Sequence, residues 1–314
     1  AHRKTPFVWL IPADGAIYEP FSFRYVGKKY VAVWDEAGQP TDGAVLSLQD
    51  LAIAEFSAAE DEAVASFLNH RLAELADVFA LRSAEYIADA RAQFQSDGGG
   101  IASVKYHDEV EGYFSWWPED GILKIRELVL SERLEKLLSQ SLLSRPQEGE
   151  LLNQTYREMP ALRTFETRLR TFFRDLARSR GSEELGTLAG GRIEAVTTGW
   201  TGSVVSGTPV QNVMFRVADA NSFLELFRSA VPYHIRIKVK DSIIEDNNRI
   251  FDWTVDAKKS KAEPLDEAQD DSCESWYDVE ATPEELVKWL FGGDMVEKYP
   301  QMCCYDRIHL PECV

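Results

Sequence analysis

The chain opens on a continuous apolar run, Pro6–Ile11 of TPFVWLIPADG, which Pro12, Asp14 and Gly15 bring to a stop. A short run rich in aromatic and branched residues, bounded by such breakers, reads as a strand. A second run, Phe21–Val26, follows after the elbow GAIYEPF, and KKYVAVWDEAG reads as a further extended stretch. AGQPTDGA at 37–44 is turn-rich and sets a first boundary near residue 43. Beyond it the period changes. Val64, Phe67, Leu68, Leu72, Leu75 and Phe79 recur every three or four positions behind Ser57 and Glu60, a pair at capping-box spacing, so a helix starts there. SAEYIADARAQFQ continues in helix, and Gly98–Gly99–Gly100 closes it. IASVKY, GYFSWW and ILKIRELVL then read as three strands separated by HDEVE and PEDG. Helices followed by a meander of strands predict an α+β layered fold.

Residues 131–180 predict charged helix with Leu134, Leu137 and Leu138 as an apolar stripe. RSRGSEELGTLAGGR and TTGWTGSVVSGTP are rich in Gly, Ser and Thr, read as loops, and set a second boundary near residue 205. VQNVMFRVADANSFLELF then runs from strand into a helix capped near Asp219–Ser222. YHIRIKVKD alternates, with Tyr233, Ile235, Ile237 and Val239 on one face and His234, Arg236, Lys238 and Lys240 on the other. Such alternation marks a half-solvated strand. DNNR turns the chain into IFDWTVDA, and the acidic stretch 263–280 reads as a loop with a short strand around Trp276–Val279. Thr282–Pro283–Glu284–Glu285 supplies an N-cap, an N1 proline and an N3 glutamate for a helix that ends at Gly292–Gly293.

Composition adds exclusions. With 314 residues, 45% hydrophobic and 27% charged, the chain has the make-up of a globular protein large enough for two or three domains. No apolar run approaches the roughly 18–20 residues that cross a bilayer, so no membrane is expected and the cytoplasm is the expected location. The formal charge of −18, from 52 acidic against 34 basic residues, repels phosphate backbones and speaks against nucleic acid. It suits a cationic substrate such as a polyamine, an aminoglycoside or a lysine-bearing peptide; it equally serves solubility alone. Cys273, Cys303, Cys304 and Cys313 form no C-x-x-C and no zinc spacing, and read as reduced thiols. His107–Asp108–Glu109 has the H-x-E spacing of zinc deaminases, but no P-C-x-x-C follows and no metal is expected.

Several stretches together resemble the enhanced-intracellular-survival group of GNAT N-acetyltransferases. PFVWLIPADGAIYEPFSFRYV is similar to the segment where that family's amino-terminal acetyltransferase domain closes on an apolar strand and an IY–F–F elbow. FLNHRLAELADVFALRSAEYIADARAQFQSDGGGIASV, with GYFSW and IRELV, resembles its central degenerate GNAT domain. NVMFRVADANSFLELF, KVKDSIIEDNNRIFDWTV and the closing RIHLPECV are similar to its carboxy-terminal sterol-carrier-protein-like domain. The resemblance covers residues 5–130 and 209–314 and is weak over 131–208. It implies a remainder of the catalytic GNAT domain at 1–43, a central GNAT-like domain at 44–205 and a sterol-carrier-like (SCP2-like) domain at 206–314. It further implies a truncated chain, with the Gly-rich loop that grips the pyrophosphate of acetyl-coenzyme A belonging before Ala1. Neither 98–100 nor Gly190–Gly191 replaces that loop.

What the resemblance implies chemically is acetyl transfer from acetyl-coenzyme A to a primary amine of a cationic small molecule or peptide. That reaction needs a base, oxyanion stabilisation and an acid for the departing thiolate, and no covalent nucleophile. Tyr18 matches the family's acid; a phenol with a pKa near ~10 is protonated at neutral pH. Taken alone, Tyr18 reads as a packing residue at a junction. Val314 matches the base through its terminal carboxylate, and Glu312 is a second carboxylate beside it. An α-carboxylate with pKa ~3.3–3.7 is a weak base unless burial raises it. Trp9, Phe21, Phe23, Trp116 and Trp117 are candidate substrate-lining aromatics, although aromatics on strands more often form core. Family members assemble as trimers or hexamers, so a homo-oligomer is implied. The competing reading is a non-catalytic module whose last domain holds an apolar ligand among Phe215, Phe223, Phe227, Ile237, Phe251 and Trp253; those residues fit an ordinary core as well.

Overall fold

The computed structural model describes residues 5–27, 30–34, 48–139, 160–197, 213–265 and 277–292, with 299, 302, 305 and 308–309. The linker 37–44, most of the loop around 198–209, all four cysteines, and both Glu312 and Val314 lie outside the described residues. In chain order the strands are β1 (Phe7–Leu10), β2 (Arg24–Val26), β3 (Tyr30–Trp34), β4 (Leu51–Glu55), β5 (Val78–Phe79), β6 (Gly100–Tyr106), β7 (Glu109–Glu119), β8 (Ile122–Leu130), β9 (Ile193–Thr197), β10 (Val213–Val217), β11 (Tyr233–Val239), β12 (Ile250–Val255), β13 (Ser260–Pro264), β14 (Val279–Ala281) and β15 (Ile308–His309). The helices are α1 (Asp61–Leu75), α2 (Ala84–Ser96), α3 (Glu132–Ser139), α4 (Pro160–Arg180), α5 (Glu183–Leu188), α6 (Ala220–Leu224) and α7 (Pro283–Gly292). The chain divides by compactness into Ala1–Lys28 with Gln211–Ile308, and Lys29–Val210 with His309–Val314. The boundaries expected from sequence lie near 43 and 205.

The larger unit is built on a six-stranded sheet in the order β3-β9-β8-β7-β6-β4. Its pairs are antiparallel except β8 with β9, which run parallel, so the fold is mixed α/β. A parallel neighbour cannot be reached by a hairpin. The helical segment between β8 and β9 makes that crossover. Alternation along the strands sends side chains to two separate cores. Ile101, Tyr113 and Val129 pack with Val64, Leu68 and Leu72 of α1 and Ile87 and Phe94 of α2. Ala102, Val104, Phe114, Trp116, Leu128 and Leu130 face the opposite core, where α4 presents Leu162, Phe165, Leu169 and Phe173 at three- and four-residue intervals. One phenylalanine ring, Phe173, lies edge-on to Trp116 with centroids 5.1 Å apart. The hairpin tips follow from backbone needs. His107 and Asp108 both adopt positive φ, as do Asp120 and Gly121, which is the twist a two-residue hairpin turn requires.

Three sequence expectations change here. Residues 178–192, expected as loop, contain helix α5. Ser182 caps it by accepting from the Leu185 N–H at 3.2 Å, and Leu185 and Leu188 are buried. An added Cβ at Gly186 would make only ordinary contact, 3.7 Å, with Ala177 Cβ of α4. Glycine content alone therefore misread a packed helix as a loop. Phe79, expected in the periodic pattern of the first helix, lies on β5 beyond the end of α1 at Leu75; the helix expected at 131–180 is seen as α3 and α4, and 140–159 lies outside the described residues.

The smaller unit joins the opening strands to the later part of the chain. β10 lies between β1 and β2, antiparallel to both, with Phe7 opposite Val217, Trp9 opposite Phe215 and Tyr25 opposite Met214. A second sheet runs β13-β12-β11-β14, with β11 and β14 parallel. Helix α7 starts on a reciprocal capping box. The Thr282 N–H donates to Glu285 Oε2 at 2.7 Å, and the Glu285 N–H donates to Thr282 Oγ1 at 3.3 Å. Phe7 stacks on Phe215 at 4.6 Å, Phe215 meets Phe291 edge-on at 4.8 Å, and Phe227 meets Trp253 edge-on at 5.1 Å. Trp253 Nε1 donates to Ser260 Oγ at 2.8 Å. The six apolar residues that could have lined a ligand tunnel are all buried, and the rings of Phe215, Phe223, Phe227 and Trp253 pack among themselves and on Phe7 and Phe291. That set is a filled core.

One buried carboxylate gives the larger unit a pH dependence. Glu135 on α3 pairs with Arg71 of α1 at 2.5 Å, while Arg71 also donates to the Leu130 carbonyl and to Glu74. Burial outweighs the Arg71 charge and pushes the Glu135 carboxyl from 4.5 up to about 7. Between those values the folded chain binds more protons than the unfolded chain, so stability falls as pH rises. Denaturant midpoints measured from pH 4.5 to 7 are expected to decline in the native protein, and the Glu135→Gln variant should lose that part of the slope.

Candidate functional site

The elbow that follows β1 is two 3₁₀ turns in succession. Asp14 Oδ1 accepts from the Ala16 N–H at 2.9 Å and caps the first, Gly15–Ile17. The second, Glu19–Phe21, carries Pro20, whose fixed φ suits a first helical turn and which has no N–H to leave unpaired. Tyr18 is the hinge between them: its N–H donates to the Gly15 carbonyl at 2.9 Å and its own carbonyl accepts from the Phe21 N–H at 2.9 Å. Ser22 then takes a left-handed conformation, φ +64°, and turns the chain into β2. A Cβ on Gly15 would press on the far end of the Tyr25 side chain, with Cε2 at 2.6 Å, and the ring would have to shift.

The Tyr18 side chain is half-buried and packs edge-on against Phe23, ring centroids 6.0 Å apart. Phe21 is exposed, and Ile17 beside it more so. Trp9 is half-buried on β1 in register with Phe215. The structure thus brings Tyr18 and Phe23 into contact, leaves Phe21 in solvent and places Trp9 on a strand. Val314 and Glu312 lie outside the described residues.

Two arginines hold the elbow's carbonyls. Arg24 Nη1 donates to the carbonyls of Glu19, at 3.0 Å, and Phe23, at 2.7 Å, and Arg24 Nη2 lies 3.6 Å from Glu284 of α7. Arg216, on β10, donates from Nε to the Phe21 carbonyl at 2.7 Å and from Nη2 to Asp241 at 3.2 Å. Burial works against the ionised form of Glu284, but bonds from its own backbone N–H, Ser22 and Thr282, with the Arg24 charge, together hold its carboxyl below the ordinary value. Sequence reading missed Arg216, Asp241, Arg24 and Glu284. The available signal was Arg216 itself, a charge inside the otherwise apolar strand VMFRV.

The two described glycine runs, 98–100 and 190–191, do not offer a cradle for the pyrophosphate of a coenzyme A. Such a group needs a run of free backbone N–H donors at a helix start. The Gly98 and Gly99 amides already donate to the Gln95 and Phe94 carbonyls at 3.2 and 2.7 Å. A Cβ on Gly99 would lie 2.8 Å from Trp117 Cβ, so this glycine serves helix-to-strand packing. The Gly190 and Gly191 amides are spent on Thr187 and Leu188 at 3.1 Å each. Among the described residues no group of three His, Cys, Asp or Glu side chains is placed to hold a metal. No helix among them is long and apolar enough to cross a membrane.

Solved structures resemble the chain in fold. A GCN5-related N-acetyltransferase from Kribbella flavida is 13% identical with a TM-score of 0.54, over 95% of this chain and 64% of that one. Another from Anabaena variabilis ATCC 29413 is 13% identical with a TM-score of 0.55, over 95% and 67%. Eis1 from Mycobacterium abscessus is 14% identical with a TM-score of 0.50, over 96% and 67%. At these identities the likeness establishes a GNAT-type fold. The chain spans about two thirds of the length of these structures, between 64% and 67%. No protein-family model matches the chain, and no curated protein matches it.

Gly15 gives a direct test of the elbow's packing. Gly15→Ala is expected to cost about 1–3 kcal/mol in denaturant unfolding through overpacking against Tyr25. Pairing it with Tyr25→Ala should give a loss smaller than the sum of the two single losses.

Proposed function

We propose that the chain belongs to an acetyl-coenzyme A-dependent N-acetyltransferase of the enhanced-intracellular-survival type. In this reading Tyr18 is the general acid, the Val314 carboxylate is the base with Glu312 beside it, and the acceptor is a primary amine of a cationic small molecule or peptide. The observation that carries the reading is the Tyr18 elbow. The tyrosine singled out by family resemblance stands half-exposed at the junction of two fixed turns, on a chain with a GNAT-type fold. A phenol carried on such a junction is placed to give its proton to a leaving group. The charge of −18 favours a cationic acceptor over an anionic one.

The finer parts of the reading extend beyond fold likeness. The segment 206–314 is proposed as the sterol-carrier-like domain, 44–205 as the central GNAT-like domain and 1–43 as part of the catalytic one. A homo-oligomer, trimer or hexamer, working in the cytoplasm completes the reading. Acetyl-coenzyme A is the acyl donor in it, although the described glycine amides provide no cradle for its pyrophosphate.

Thiol release from acetyl-coenzyme A, measured with a polyamine, an aminoglycoside and a lysine peptide, tests the assignment. Tyr18→Phe is expected to lower kcat by about 10²-fold or more with little change in KM, the scale of a lost general acid. Full activity in that variant would remove Tyr18 from the chemistry.

A further inference from the structure

We infer that Arg216 is a positioning residue for Tyr18, locked in place by Asp241; this rests on the reading of Tyr18 as the acid. Val213, Met214, Phe215 and Val217 are all buried, so the guanidinium of Arg216 enters a place where an unpaired charge is not tolerated. Asp241, whose side chain is fully buried, supplies the counter-charge. Asp241 cannot swing away. Its Oδ1 accepts from the Ile243 and Ile244 amides at 2.8 and 3.0 Å, and its Oδ2 accepts from Asn247 Nδ2 at 2.9 Å. Asn247 Oδ1 in turn accepts from the Ala220 N–H at 2.8 Å, and Asn248 brackets the Asp241 backbone, accepting from its N–H at 2.8 Å and donating to its carbonyl at 2.7 Å.

The fork of Arg216 is therefore aimed before it meets the elbow. Nη2 is taken by Asp241 and Nη1 by the Val217 carbonyl at 3.1 Å, which leaves Nε for the Phe21 carbonyl. Phe21 closes the turn that Tyr18 begins, through the Phe21 N–H to Tyr18 carbonyl bond. A lysine, a point charge on a flexible stem, could not hold three directions at once. A second clamp, Arg24 with Glu284, grips the carbonyls on either side of Phe21. Buried Ser22, left-handed and bonded to Glu284, sits between the clamps. Residues of 213–292 thus hold the backbone turn that carries Tyr18, some two hundred positions earlier.

The test uses the full chain labelled with 3-fluorotyrosine, the Tyr18 ¹⁹F signal being assigned by its loss in Tyr18→Phe. Arg216→Met is expected to shift or broaden the Tyr18 signal and to lower kcat by about tenfold with KM little changed, the cost of a misplaced group. Arg216→Lys should recover only part of both effects, and Arg216→Met combined with Tyr18→Phe should be no slower than Tyr18→Phe alone. Arg216→Met leaves Asp241 buried without a counter-charge, a fault able to unfold the chain by itself. Arg216→Met with Asp241→Asn removes both charges, and Arg24→Met loosens the more exposed clamp; each should move the same signal. An unmoved Tyr18 signal in a folded Arg216→Met or double variant overturns the inference. If Tyr18→Phe proves fully active, the acid assignment fails separately, and the ¹⁹F signal alone decides whether Arg216 sets the elbow.

Discussion

A charge placed in a buried strand has to be answered, and the answer organises the smaller unit. Arg216 stands among apolar neighbours on β10, and Asp241 meets it with a carboxylate that is itself saturated by backbone and asparagine donors. Taking two charges out of water is costly, and only complete hydrogen bonding offsets that cost. Completeness has a structural consequence. The Nε donor of the guanidinium also needs an acceptor, and the Phe21 carbonyl of the Tyr18 elbow is the one it finds. The pair thereby ties the loop at 241–248 to the opening segment of the chain.

The larger unit follows a different logic. Its sheet separates two apolar cores, and its buried arginines tie elements together from within. Arg170 bonds Glu166 one turn away and also donates to the carbonyls of Ala189, Gly191 and Trp34, joining α4 to the stretch before β9 and to the end of β3. The glycines near 98 and 190 are part of the same economy of space, their amides used in helix ends. A glycine-rich stretch becomes an anion site only when its amides point outward and unpaired, and here they do not.

Much of the candidate site was legible in the sequence as residue types and order. GAIYEPF announced a turn-rich elbow with a tyrosine at its centre, because Gly permits and Pro pre-sets turn conformations whatever surrounds them. The capping boxes at Ser57 and Thr282 were equally readable, since each needs only four consecutive residues. The clamps were not readable. Arg24 looked like one charge on a short strand and Glu284 like a helix-start acid, and Arg216 pairs with an elbow carbonyl 195 positions away.

By itself, then, the sequence determined local matters: where strands and helices begin, which face of β11 meets water, and that the chain carries the apolar content and acidic charge of a globular protein. Helix α5 was not among them: its glycines read as loop, and burial of Leu185 and Leu188 rather than composition stabilises that turn. Tertiary structure alone decided that β10 enters between β1 and β2, that β8 and β9 run parallel, and that Phe215, Phe223 and Trp253 fill a core. The physical reason is range. Backbone preference and capping act over a few residues, whereas burial and charge pairing depend on neighbours that only folding brings together.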